Sequence, residues 1–254
     1  MERRELAPQN ALPPLAPLLE NFQVNTPGEV RWAHRVNTLL ELQEAKKRNV
    51  HFIEGDVRGK TPVMHHNPLE TGKQYLSQKN YLEEVLDLDQ GIKLDHKEPD
   101  AVGGSLSNLK ELSFPVPRLI LHVNVFKGPD GRKPIFQPEL FARQCRAFSS
   151  DILISLGFTT LPGCPPFTQE MIEEAAKFAS SVQPATVCLR VELVTPAIME
   201  SLINKGIPVT LWSDQDFPLG EIWWKEHEET IRQWKPFAFM DFPDFSLPQS
   251  SSRG

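Results

Sequence analysis

Two carboxylates one residue apart, Glu54 and Asp56, close the apolar run His51-Phe-Ile-Glu-Gly-Asp-Val57. A histidine pair, His65 and His66, ends the next short apolar run from Pro62. In an extended chain residues i and i+2 point the same way, so both acids face one side, as oxygen ligands gripping a hard divalent cation would. A third acid, Asp95, stands two before Lys97 at the end of Gly91-Ile-Lys-Leu-Asp-His-Lys97. Together Glu54, Asp56 and Asp95 could form an open magnesium or calcium site that leaves positions for water and a phosphate oxygen. Histidine titrates near working pH, so His34 and His66 would serve as a general acid and base for displacement at phosphorus. Lys97 and Arg190 would hold an anionic substrate. Asn124 shares a face with His122, and Trp212 would form a pocket wall. Arg35 would point outwards in a regular strand, yet can swing inwards at a strand end. If the segment is extended His65 faces away, which leaves His66 as the pocket residue.

These residues need strands to carry them to one place. Apolar runs rich in β-branched residues are expected as strands at 30–36, 51–57, 91–97, 118–126, 151–157, 186–193, 207–212 and 237–241. Helical patterns fall between them, at 37–48, 74–88, 105–112, 137–149, 169–182, 196–204 and 219–233, with Thr168 an expected N-cap. Such alternation implies a parallel sheet, and eight strand-helix phrases in 254 residues are the proportion of a single (β/α)8 TIM-type barrel. A doubly wound open sheet is the competing fold, but no glycine-rich loop follows the first strand to support dinucleotide binding. In a barrel the chemistry sits at the carboxyl ends of the strands. His34, Glu54, Asp56, Asp95, Lys97, Asn124, Arg190, Glu192, Trp212 and Asp241 therefore converge on one rim.

The remainder of the chain sets limits. Residues 1–28 are rich in proline and leucine and read as an arm, a lid or a wrap with one short helical turn. Residues 29–241 form the barrel, and 242–254 a loosely ordered tail rich in serine and proline. The net charge of −6 argues against nucleic acid and against general attraction to anionic membranes. Cys145, Cys164 and Cys188 are too far apart for a Cys-x-x-Cys knuckle and read as buried free thiols. His51, His96 and His227 read as packing or surface residues, and Trp223, Trp224 and Trp234 as core. No signal-peptide core and no run of membrane-spanning length is visible. A cytoplasmic location is the expectation, or a secreted one if the amino terminus is incomplete.

The segments Trp32-Ala-His-Arg-Val-Asn37, His51-Phe-Ile-Glu-Gly-Asp-Val57, Pro62-Val-Met-His-His66, Gly91-Ile-Lys-Leu-Asp-His-Lys97, Ser155-Leu-Gly-Phe-Thr-Thr160 and Val209-Thr-Leu-Trp212, in this order, resemble the menorin family of animal proteins. That family is itself similar to the glycerophosphodiester phosphodiesterases, whose fold is a phospholipase-C-like TIM barrel. The likeness runs from about residue 30 to 241. It implies catalytic roles for His34 and His66, metal binding by Glu54, Asp56 and Asp95, with aspartate for the more usual glutamate at the last, and phosphate contacts from Arg35 and Lys97. Val36 stands where the phosphodiesterases carry glycine, and Asn67 where they carry aspartate. The implied function is metal-dependent hydrolysis of a glycerophosphodiester or lysophospholipid head group. The alternative is a non-catalytic barrel acting as a binding or adhesion module with a membrane-protein partner. A sugar-processing barrel fits less well, because its acids would flank a sugar ring rather than share a strand.

Overall fold

In the computed structural model, which describes residues 13–213 and 221–242, the chain folds as a nearly closed barrel of eight parallel strands wrapped by helices. A short helix, α1 (Ala16–Asn21), precedes β1 (Trp32–Ala33), α2 (Leu39–Lys47), β2 (Phe52–Arg58) and β3 (Val63–Met64). Then come α3 (Gln78–Leu86), β4 (Gly91–His96), α4 (Pro99–Glu111), β5 (Leu119–Phe126), α5 (Pro138–Phe148), β6 (Leu153–Phe158) and α6 (Gln169–Ser181). The chain continues with β7 (Ala185–Arg190), α7 (Pro196–Asn204), β8 (Val209–Trp212), α8 (Glu221–Trp234) and β9 (Ala238–Asp241). The parallel order is β1-β2-β4-β5-β6-β7-β8-β9, with β3 an antiparallel flap on the end of β2. Between β9 and β1 the seam is bridged by the Gly28 N–H donating to the Lys235 carbonyl at 2.9 Å, and by Trp32 packed edge-on to Phe239.

The expected strands and helices are present, with shifted ends. Strand β1 is two residues long rather than seven, because Arg35 adopts φ +57° and turns the chain off the ladder. Strand β7 stops at Arg190, and Val191–Leu193 coils into a 3-10 turn, so Glu192 is not a strand residue. Helix α4 starts at Pro99, six residues earlier than the pattern suggests, since proline is preset for the first turn. The pair Gly103-Gly104 weakens the helical signal there, but Gly104 serves packing: a Cβ would stand 2.7 Å from Pro62 and 2.8 Å from the Lys60 carbonyl. Helix α3 begins only at Gln78, where the Ser77 side chain accepts from the Asn80 N–H. Thr168 caps α6 as expected.

Residues 13–28 of the arm close the floor of the barrel, at the end away from the strand carboxyl termini. Leu15, Leu18 and Leu19 are buried against Trp32, Phe52, Ile120, Leu153 and Phe239, the inward side chains near the starts of their strands. For these residues the arm is thus a plug, not a lid on the rim. Residues 1–12 of the arm and the tail from residue 243 lie outside the described residues. No helix of the described residues is long and apolar enough to cross a membrane. Replacing Leu19, 2% exposed, with alanine should lower the unfolding free energy by roughly 2–5 kcal/mol, read from urea denaturation. A loss under about 0.5 kcal/mol would mean that the floor does not depend on the arm.

Candidate active site

Strand register brings the polar side chains together. Glu54 pairs with Lys93, Asp56 with Asp95, Asp95 with His122, His122 with Ser155, and Trp212 with Asp241. Alternation then points the same set inwards, and a cavity of about 230 Å³ opens above it. Its lining includes His34, Arg35, Glu54, Asp56, His66, Asp95, Lys97, Asn124 and Trp212, all singled out from sequence, along with Lys93, His122 and Cys188. Thr160 and Leu161, on the segment after β6, complete the wall. Arg190 is not among the lining residues. It is buried, ion-paired to Glu192, with its guanidinium 5.3 Å from the Trp212 ring centre. His65 also lies apart, its ring packed on Tyr75.

The loop after β1 is built to hold the acids of β2. Because Arg35 takes the left-handed conformation, its N–H donates to Glu54 Oε2 at 2.7 Å, and the Val36 N–H donates to the Glu54 carbonyl at 2.8 Å. Asn37 grips Asp56 twice: its Nδ2 donates to Asp56 Oδ2, and its Oδ1 accepts from the Asp56 N–H, both at 2.7 Å. The capping box Thr38/Glu41 at the start of α2 also receives the Asn37 N–H on Glu41 Oε2, so helix entry and acid placement share residues. Gly55, between the two acids, lets this loop approach: a Cβ there would lie 2.9 Å from the Val36 carbonyl.

Each histidine is oriented by a carboxylate. His34 Nδ1 lies 2.9 Å from Asp241 Oδ1 and 3.6 Å from Glu54 Oε2, and His66 Nδ1 lies 3.1 Å from Asp56 Oδ2. Burial disfavours charge on His34, but the Asp241 and Glu54 carboxylates outweigh it and raise its pKa to about 9. Glu54 is pushed up to about 7 by burial and by the neighbouring Asp56. Asp56 and Asp95 are also opposed by burial, yet are held below the usual range, chiefly by the Lys97 ammonium, 2.7 Å from Asp56 Oδ1 and 2.5 Å from Asp95 Oδ2. Lys93 reaches Asp241 Oδ2 at 2.6 Å in the barrel interior. His122 is kept uncharged by burial, its pKa lowered to about 4, and burial pushes the Cys188 thiol up to about 12, leaving it an inert thiol.

Oxygens of Glu54, Asp56 and Asp95 lie within 4.8 Å of one another, and Asp95 Oδ1 is buried without a hydrogen-bond partner among the described residues. A buried, unsatisfied carboxylate oxygen is costly, and three hard oxygen donors with one open valence could hold a metal ion.

Strand alternation was enough to find this cluster, but not its counter-charges. Asp241 is on the rim as its strand end suggests, and Lys93 shares the inward face of β4 with Asp95 and Lys97, but nothing in either strand pairs the two. Their contact joins residues 148 apart, which no local pattern reveals. The grip of Asn37 had no local signal either.

The Menorin N-terminal domain model matches residues 28–221. The chain belongs to the menorin family. Protein FAM151B of Homo sapiens is 28% identical to this menorin-family chain over 219 residues, 78% of each. Among solved structures, a candidate glycerophosphodiester phosphodiesterase of Galdieria sulphuraria superposes with a TM-score of 0.59 at 17% identity, covering 84% of this chain and 91% of that one. A similar candidate from Silicibacter pomeroyi gives 0.60 at 16%, covering 89% and 94%. A β-mannanase of Thermomonospora fusca gives 0.51 at 12%, covering 82% and 76%. At these identities the likeness is one of fold, and the mannanase shows that the same barrel carries other chemistry.

The packing around Asn124 gives one prediction. It faces Gly157 on β6, where a Cβ would stand 2.3 Å from Asn124 Oδ1 and 2.8 Å from His122 Cε1. Gly157→Ala should therefore cost roughly 1–3 kcal/mol by thermal unfolding, and an unchanged melting temperature would show that the wall is looser than described. Electrostatics gives another. The raised His34 pKa means that this group stabilises the fold fully below about 6.5 and loses that contribution as pH rises through about 9. An NMR titration of metal-free protein should place the His34 midpoint near 9, and Asp241→Asn should bring it down. A midpoint at or below 6.5 would refute the assignment.

Proposed function

We propose that this protein is a divalent-metal-dependent phosphodiesterase acting on a glycerophosphodiester or lysophospholipid head group. The observation that carries the reading is the meeting of three buried carboxylates with two carboxylate-oriented histidines in one cavity. The fold shared with candidate glycerophosphodiester phosphodiesterases supports it.

Glu54, Asp56 and Asp95 would hold magnesium or calcium. When bound, such an ion supplies stabilisation of charge developing on the phosphoryl oxygens. The remaining work falls to side chains. With Nδ1 tied to Asp56, His66 takes the proton of the attacking hydroxyl, from water or the substrate itself, as its oxygen forms a bond to phosphorus. His34 is protonated at neutral pH through its neighbours Asp241 and Glu54, and it delivers a proton to the departing oxygen as that phosphorus–oxygen bond breaks. Lys97, Arg35 and Asn124 line the same cavity and hold the phosphate oxygens. Trp212, stacked on Arg190, walls the head-group side.

A second reading has its own observation: the Lys97 ammonium already pairs with both Asp56 and Asp95 without a metal ion. Under it the barrel is non-catalytic and binds a membrane protein. Capture of such a partner equally well by wild type, His34→Ala and His66→Ala, in a chain that calorimetry shows to ignore magnesium and calcium, decides for it.

For the enzymatic reading, His34→Ala and His66→Ala should each reduce kcat on an active diester by about 10²–10⁴-fold, and Asp95→Asn should weaken metal binding in a calorimetric titration. If a panel of phosphodiesters is untouched in magnesium and in calcium, and Glu54→Ala leaves metal affinity unchanged, the proposal fails.

A further inference from the structure

The large apolar side chains left exposed among the described residues are Leu39, Leu40, Leu69, Ile135, Leu140 and Leu161. By their places in the strand-helix units they lie toward one end of the barrel, with Leu39 also lining a groove beside α2 and α3. Leu39 and Leu40 open α2, and Leu140 lies in the first turn of α5. In strand-helix units those turns sit where the strands finish. Leu69 lies within reach of Gly59, at the turn between β2 and β3. Ile135 and Leu161 lie on the segments that link β5 to α5 and β6 to α6, and Leu161 lines the cavity itself. Single exposed apolar residues need no explanation, but a set confined to the face around a pocket marks a contact surface.

Charge says what that surface meets. The segment 127–137 exposes Lys127, Arg132 and Lys133 around Ile135, with Asp130 its one acid, in a chain whose net charge is −6. Ile135 is 65% exposed, with nothing in the fold to bury it. At Ile135 an apolar tip flanked by cations suits the interface of a bilayer carrying anionic lipid. A stable protein partner would call for a continuous apolar centre rather than separated tips.

We propose that the cavity face is a docking surface for a bilayer containing anionic lipid, with Ile135 and Leu40 entering the interface. The surface makes the membrane the source of substrate, and in that respect alone the proposal rests on the phosphodiesterase reading.

The full chain should co-sediment with phosphatidylcholine vesicles containing phosphatidylserine, and more weakly with phosphatidylcholine alone. Ile135→Glu and Leu40→Glu should each weaken vesicle binding by roughly tenfold or more while leaving hydrolysis of soluble glycerophosphocholine unchanged. His66→Ala should bind vesicles as wild type does while losing turnover. Three results overturn the proposal: no binding of wild type to phosphatidylserine vesicles, equal binding by both glutamate variants, or a dimer in sedimentation velocity that Ile135→Glu disperses. Wild type that hydrolyses soluble diester but does not bind vesicles removes the docking surface alone. Binding kept with no turnover of any diester removes the phosphodiesterase reading alone.

Discussion

Four carboxylates buried inside one barrel must be balanced, and much of the architecture around the cavity follows from how this is done. Glu54, Asp56, Asp95 and Asp241 are each at most 8% exposed, and an uncompensated buried ion costs several kcal/mol even after relaxation. Lys93 answers Asp241, and Lys97 answers Asp56 and Asp95 together. Glu54 is the least compensated, relying on the Arg35 N–H and on His34, which is why it alone of the four is pushed upwards, to about 7. A cation at the cluster would relieve Glu54 most, so the imbalance itself points to where extra positive charge is wanted.

Holding these charges requires backbone work on the neighbouring loop. A non-glycine residue in the left-handed region costs roughly 1–2 kcal/mol, and Arg35 bears that cost to aim its N–H at Glu54. Around it, Tyr81 donates its hydroxyl to the Val36 carbonyl, the Val36 side chain joins the buried core, and Glu41 receives the Asn37 N–H. Strain of this kind persists only where its surroundings over-determine it. The same contacts explain how Val36 is accommodated where the phosphodiesterases carry glycine: its side chain points into the core and is absent from the cavity lining.

Most of the fold was legible because its signals are local. Period-2 apolar runs and punctuating caps gave eight barrel strands and the intervening helices, and the i, i+2 rule put Glu54, Asp56, Asp95 and Lys97 on one face. What stayed hidden is non-local or conformational. The positive φ of Arg35 shortened β1, Pro99 started α4 ahead of its glycine pair, and the 3-10 turn after Arg190 took Glu192 off its strand. The contacts of Asp241 with His34 and Lys93 depend on barrel closure, and no pattern within a single strand encodes which first strand will meet which last one.

The barrel also divides its labour along its axis. Its floor is sealed by aromatic and aliphatic side chains, with α1 excluding water, so that end contributes stability with little polar chemistry. Its rim is the reverse, a ring of ions whose mutual repulsion the fold must contain. The two are linked through β1 and β9: Trp32 meets Phe239 at the floor, and two residues further along the chain His34, just past β1, meets Asp241 at the end of β9 near the rim. A barrel whose β1–β9 seam lacks a continuous ladder would let the histidine drift if that lower contact were loose. Aromatic packing at the floor therefore helps to fix the His34–Asp241 contact at the opposite end, and a residue far from the cavity can set geometry in it through strand direction alone.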